Sequence, residues 1–123
     1  MKTYLFDSDV VIWFFKGRDK EVELLNTLSA KGRLLISAVT VIEVRTGISR
    51  QAETVIKNLK NLFDVVVIDV RVAEQAGAYK QKYGLGIADM LIAASTKISN
   101  STLVTYNKKH YPMRDIKLYD SSE

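Results

Sequence analysis

Cysteine is absent from the 123 residues, and histidine and proline occur once each, at His110 and Pro112. Without thiols there is no disulfide framework, no thiol nucleophile and no thiolate zinc cluster. With a single imidazole, any metal chemistry has to use oxygen ligands, which favours magnesium or manganese. Long apolar runs are missing too. No stretch approaches the ~20 residues of a membrane span, and the N-terminus lacks the basic, apolar and small-residue regions of a secretory signal. The expectation is a soluble, cytoplasmic protein with no membrane contact. Internal repeats, linkers and low-complexity stretches are also lacking, and the length is about that of one domain, so a single domain over 1–123 is expected.

What is present is a core. Hydrophobic residues make up 47% of the chain, enough to bury a sizeable interior. The net charge of +4 and pI near 9.3 permit polyanion binding without requiring it, because the basic residues are scattered. If the acidic residues converge in one place, the remaining surface is more basic than the average.

The first apolar strand, roughly Thr3 to Phe6, runs into Asp7-Ser8-Asp9 and then a second apolar run. That places two carboxylates at a strand-to-helix junction, with Ser8 or Asp9 as the expected helix cap and Gly17 as the stop. Trp13, Phe14 and Phe15 are consecutive on this helix, so at least one faces outward. Asp19 reads as the cap of a second helix with an apolar stripe of Val22, Leu24, Leu25 and Leu28. Leu34 to Ile36 is the second strand. A helix follows it through Glu43 toward Gly47 and beyond, and another covers about Gln51 to Leu62. Val65 to Ile68 reads as a buried parallel strand, Asp69 as the cap of a helix to Tyr83, and Gly84-Leu85-Gly86 as a break. A strongly apolar helix then runs from Ile87 to about Ile98. Thr102 to Thr105 is the fourth strand, and Ile116 to Tyr119 a last edge strand. Strands alternating with helices predict an α/β fold: a parallel sheet with helices on both faces, three layers in all.

Asp89 interrupts the apolar helix in Ile87-Ala88-Asp89-Met90-Leu91-Ile92-Ala93-Ala94. A buried carboxylate persists when it is paired, hydrogen-bonded or bound to a cation, although a first-turn position after Gly86 also suits it. Glu43 fits a capping box as Thr40-x-x-Glu43, yet its neighbours Val41, Ile42 and Val44 are apolar. Asp7, Asp9, Thr105 and Asn107 follow strands, where caps and loop polarity offer local explanations. All of these positions fall just after parallel strands or at adjacent helix starts, and so along one rim. Two carboxylates about 4 Å apart repel by ~4 kcal/mol at an effective dielectric of 20, so three or four gathered there call for a divalent cation.

Four segments taken in order make the chain resemble the PIN-domain ribonucleases, and within them the VapC-like toxins of bacterial and archaeal toxin-antitoxin pairs. They are Leu5-Phe6-Asp7-Ser8-Asp9-Val10, Ser37-x-x-Thr40-x-x-Glu43, Ile87-Ala88-Asp89-x-Leu91-Ile92-Ala93-Ala94, and Leu103-Val104-Thr105-x-Asn107-x-x-His110-Tyr111. The resemblance implies a parallel sheet, a homodimer, Mg²⁺ or Mn²⁺ at an acidic cluster of Asp7, Glu43 and Asp89, and a VapB-like antitoxin. It also implies RNA hydrolysis that leaves a 5′-phosphate and a 3′-hydroxyl. Asp9 stands where many members have Asn, and Asn107 where many have an acidic residue. An amide contributes no charge, which weakens the case for a second metal ion, and Asp9 partly compensates. The expected machinery is Asp7 and Asp89 holding the ion, with Glu43 and Asp9 as further ligands or proton acceptors and Asn107 beside them. Arg45, Lys16, Lys108 and Lys109 are candidates to bind the RNA backbone. Packing or capping is the expected role of His110.

Two rival readings remain. Tyr4-Leu5-Phe6-Asp7-Ser8-Asp9 also fits the first motif of haloacid-dehalogenase-like phosphatases, with Asp7 as nucleophile, but leaves Glu43 and Asp89 without a role. A PIN-like binding module without chemistry is the other, supported by Asn107.

Overall fold

The computed structural model describes residues 1–48 and 50–122. Strand β1 (Lys2–Phe6) leads into α1 (Ser8–Phe15) and α2 (Asp19–Ser29), then β2 (Gly32–Ser37), α3 (Ala38–Gly47), α4 (Ala52–Leu62) and β3 (Asp64–Val66). The helices α5 (Val70–Tyr83) and α6 (Ile87–Ile98) follow, then β4 (Thr102–Val104), a 3₁₀ turn (Lys108–His110) and β5 (Lys117–Leu118). The sheet order is β3-β2-β1-β4-β5 and every pairing is parallel.

Side-chain alternation along the strands divides the core in two. Tyr4, Phe6, Ile36 and Val104 pack with Val10, Val11, Leu25, Leu28, Val44 and Leu59, under α1 to α4. Leu5, Leu35 and Leu103 point the other way, against Val72, Ala76 and Tyr79 of α5 and Met90, Ile92, Ala93 and Ala94 of α6. The order of the strands then fixes where a site can form. From β1 the chain first builds outward through β2 to β3, and later returns to add β4 and β5 on the other side. The crevice at the carboxyl ends of β1 and β4 is therefore a topological switch point, the usual ligand position in an open α/β sheet.

Several local expectations change. The Val65–Ile68 run is not a buried strand: β3 covers Asp64–Val66 at the sheet edge, and Val67 is 65% exposed. Its apolar composition reflects a surface, not a second covering layer. Asp7 rather than Ser8 or Asp9 caps α1, its carboxylate accepting from the Ser8 amide. Arg18 precedes α2, leaving Asp19 inside the first turn, where its charge suits the helix dipole. Ser37 caps α3, three residues earlier than the capping box requires, so Glu43 lies within the helix and serves no cap. Other expectations hold: Asp69 caps α5, Gly84 ends it at φ +69, and Gly86 precedes α6. Of the three aromatics, Trp13 faces outward at 41% exposure while Phe14 and Phe15 pack against the α1-side core.

Candidate active site

Asp7 ends β1 because its amide still continues the sheet, donating to the Val104 carbonyl at 2.9 Å, while its side chain turns to cap α1. Asp7 is 6% exposed. One oxygen accepts from the Ser8 amide at 2.8 Å and the other from the Thr105 hydroxyl at 2.7 Å. Burial, with the charge of Asp89 adding to it, holds its pKa above the ordinary carboxylate value, against those two hydrogen bonds.

Asp89 enters from the first turn of α6, where the helix dipole favours a negative charge. Its Oδ1 accepts from the Tyr111 hydroxyl at 3.3 Å, and His110 Nδ1 faces its Oδ2 at 3.0 Å. Tyr111 also lies near enough to Asp7 to favour its ionised form slightly. Burial and the charges of Asp7 and Asp89 drive the Tyr111 pKa far upward, so this phenol stays protonated and keeps donating to Asp89.

Glu43 reaches the same rim from α3. Its Oε1 accepts from the Ser8 hydroxyl at 2.6 Å, and Ser8 Oγ lies 2.9 Å from Thr40 Oγ1. Ser8 thus bridges Asp7 and Glu43, with its amide on one and its hydroxyl on the other. Asp9, in the first turn of α1, accepts from the Asn107 side-chain amide at 3.1 Å, and the Asn107 backbone amide returns to Thr105 Oγ1 at 3.0 Å.

Asp7, Asp9, Glu43 and Asn107 are thus joined by hydrogen bonds through Ser8 and Thr105, and Asp89 completes the rim, near enough for its charge to act on Asp7. As they stand, no three His, Asp or Glu side chains among the described residues are close enough to share one metal ion. The set is a pair, Asp7 and Asp89 about the Tyr111 hydroxyl, with Glu43 one hydroxyl removed. Magnesium is commonly bound through one or two carboxylates, the other positions going to water and substrate phosphate. The oxygen-only pair and its mutual repulsion fit that habit.

The four basic candidates divide. Lys108 and Lys109 begin the turn after Asn107 and line a groove of about 360 Å³ with Tyr106, Asn107 and His110. Arg45 instead reaches Glu53 on α4 at 2.7 Å, and the Lys16 ammonium lies 5.2 Å from the Trp13 ring centre. From the sequence alone Ser8 is expected only as a helix cap, Tyr111 has no individual role, and His110 is expected only to pack or cap. All three lie within those four segments, but their side-chain contacts to Asp89 and Glu43 span 21 to 35 positions and leave no local pattern.

The PIN domain family model matches residues 4–116. Ribonuclease VapC10 of Mycobacterium tuberculosis is 30% identical over 114 residues, 89% of this chain and 86% of that protein. A toxin-antitoxin complex from Klebsiella pneumoniae contains a chain 27% identical, with a TM-score of 0.78 over 92% of this chain and 94% of that one. VapBC2 from Rickettsia felis, solved on a promoter DNA fragment, shares the fold at a TM-score of 0.81 and 19% identity, over 95% and 97% of the two chains. Glu43 and Asp89, which a phosphatase would leave idle, share the rim with Asp7 in a fold of this kind, and the chain is a member of the PIN domain family and a relative of the VapC ribonucleases.

Proposed function

We propose that this protein is a magnesium- or manganese-dependent endoribonuclease, the cytoplasmic toxin of a toxin-antitoxin pair. The single observation that carries the reading is the convergence of three carboxylates remote in sequence: Ser8 links Asp7 to Glu43 by hydrogen bonds, and Asp89 lies near enough for its charge to act on Asp7. The named activity of the VapC10 relative points the same way.

Asp7 and Asp89 would hold the ion, with Glu43 or Asp9 reaching it directly or through water. Bound there, it supplies positive charge that polarises the scissile phosphate and acidifies the attacking water. Glu43, fixed by Ser8, and Asp9, fixed by Asn107, are the groups available to take up the proton. Asn107 orients Asp9 without adding charge. Lys108 and Lys109 neutralise the RNA backbone beside the site. Products carry a 5′-phosphate and a 3′-hydroxyl.

A VapB-like antitoxin would cover the surface about Trp13 and Phe14 and block the rim with a basic side chain. The solved toxin-antitoxin neighbours support a partner of this kind. A homodimer, which the resemblance implies, would bury some of the exposed apolar side chains, among which Ile42, Val67, Val70 and Ile87 are each more than 60% exposed.

The test is cleavage of an end-labelled single-stranded RNA by purified protein. Turnover should need Mg²⁺ or Mn²⁺, stop with EDTA, and fall at least about a hundredfold in Asp89→Asn, a loss typical of removing a key charge-stabilising group. The inactive-module reading is favoured by Asn107 and by the lack of a ready three-ligand cluster among the described residues. RNA binding without divalent-dependent cleavage, unchanged in Asp89→Asn, would select it.

A further inference from the structure

Glu21 is wholly buried in the first turn of α2, and nothing in the activity proposed above uses it. A buried carboxylate needs partners, and Glu21 has a full set. Arg18 grips it with a two-pronged fork, Nε to Oε1 at 2.6 Å and Nη2 to Oε2 at 2.9 Å. The Tyr106 hydroxyl donates to the same Oε2. Arg18 in turn lies 4.4 Å from the centre of the Trp13 ring, so α1, α2 and the segment after β4 meet at one carboxylate.

Tyr106 stands between two residues of the rim. Thr105 donates to Asp7, Asn107 donates to Asp9, and the Asn107 amide closes back onto the Thr105 hydroxyl. Holding the Tyr106 hydroxyl therefore fixes the short segment that touches both aspartates. Stability alone is a weak account of this arrangement, because the Arg18 side chain is 42% exposed and an ion pair open to solvent on one side contributes little.

We propose that Glu21 is a positioning residue: braced by Arg18, it clamps Tyr106 and so sets Thr105 and Asn107 against Asp7 and Asp9. The charge state suits a permanent tether. The Arg18 fork holds the Glu21 carboxyl below its usual range, and burial, with Glu21 itself, pushes the Tyr106 phenol up to about 12. The effect on turnover rests on the nuclease reading; the clamp does not.

The experiment compares Tyr106→Phe, Glu21→Gln and the double variant with wild type, by kcat and KM on a labelled single-stranded RNA with Mn²⁺ and by amide hydrogen exchange across 105–107. Leu28→Ala, on the same helix but in the core, serves as the structural control. The expected result is a kcat lowered roughly ten- to hundredfold with KM little changed, since small misplacements at a reacting centre have effects of that size. Exchange at 105–107 should quicken about tenfold, and the double variant should be no worse than the poorer single, because both remove one tether. Leu28→Ala should lower the melting temperature and leave kcat intact below it. Wild-type kcat and exchange in Tyr106→Phe would overturn the proposal, as would an equal loss of kcat in Leu28→Ala. Should Glu21→Gln fail to fold, Tyr106→Phe decides alone. If wild type cleaves no RNA, the nuclease reading fails separately; exchange at 105–107 then supports the clamp if it quickens and overturns it if it does not.

Discussion

At Asp7 burial and the charge of Asp89 favour the neutral carboxyl, while the Thr105 hydroxyl and the Ser8 amide favour the ionised one, and the first pair prevails. The sign of the linkage follows. A carboxyl whose pKa is raised by folding contributes stability below its unfolded value near 3.8, and loses that contribution as pH rises through the folded value. At pH 7, above the unfolded value, the burial that raises this pKa therefore works against folding of the metal-free protein. Asp7→Asn removes the charge and keeps the hydrogen bonding, since Oδ1 still accepts from Ser8 and the Thr105 hydroxyl can accept from the new amide. The variant is expected to melt higher than wild type without divalent ions at pH 7, yet to cleave RNA at least about a hundredfold more slowly. Millimolar Mn²⁺ should raise the melting temperature of wild type and not of the variant, because only an ion that binds the native state stabilises it. Thermal scans of both proteins with EDTA and with Mn²⁺ make the comparison, and a variant melting below metal-free wild type would refute the account. Asp7 and Asp89 were legible because each is a carboxylate breaking an apolar run, a local anomaly that needs no neighbour to notice. Glu43 was legible as a candidate, but its spacing from Thr40 pointed to a cap that Ser37 occupies instead. Tyr111 and Glu21 were not, for an aromatic in a loop and a glutamate in a helix look ordinary until partners 22 and 85 positions away arrive.

At the scale of the elements, hydrophobic periodicity and turn residues were enough to place the helices and four of the strands, because each signal lies within its own element. The edge strand β3 was misjudged as buried since composition reports how apolar a strand is and not whether a second layer covers it. Its neighbours in the order of the sheet are a tertiary fact, as is the spacing between backbones. Two glycines make that difference measurable. Gly32 pairs with Lys2 across β1 and β2, and a Cβ there would lie 2.2 Å from the Lys2 carbonyl oxygen, a backbone atom that cannot move without breaking the pairing. Gly77 sits inside α5 with nothing within 4 Å of where its Cβ would be. Gly32→Ala should therefore destabilise the fold by about 1–3 kcal/mol, as overpacking does. Gly77→Ala should stabilise it by roughly 0.8–1 kcal/mol, the helix-propensity difference. Urea titration of both variants gives the two signs directly. Destabilisation by Gly77→Ala would mean that α5 has a close neighbour on that face.

For the molecule as a whole, charge is distributed against function in a useful way. Eighteen basic residues face fourteen acidic ones, and four of those acids, Asp7, Asp9, Glu43 and Asp89, lie on one rim, leaving ten for the rest of the chain. A chain of net charge +4 thus offers a concentrated negative site within a surface more positive than its average. A polyanion approaching such a surface meets a net positive charge away from the rim, and at the rim cations are needed between its phosphates and the carboxylates. Lys108 and Lys109, next to Asn107, are placed to supply that attraction closest to the site, whereas Arg45 already faces Glu53. Binding of a fluorescent single-stranded RNA to the Asp89→Asn protein, which should leave the RNA intact, isolates this term through its salt dependence. Each phosphate neutralised on a single strand contributes about 0.7 to the slope of log affinity against log salt. Lys108→Gln with Lys109→Gln should thus flatten the slope by about 1.4, and Arg45→Gln should change it much less, because removing that guanidinium frees no counterion that Glu53 has not already displaced. Equal flattening by both changes would mean that the RNA path runs across α3 and α4 as well, away from the turn that follows β4.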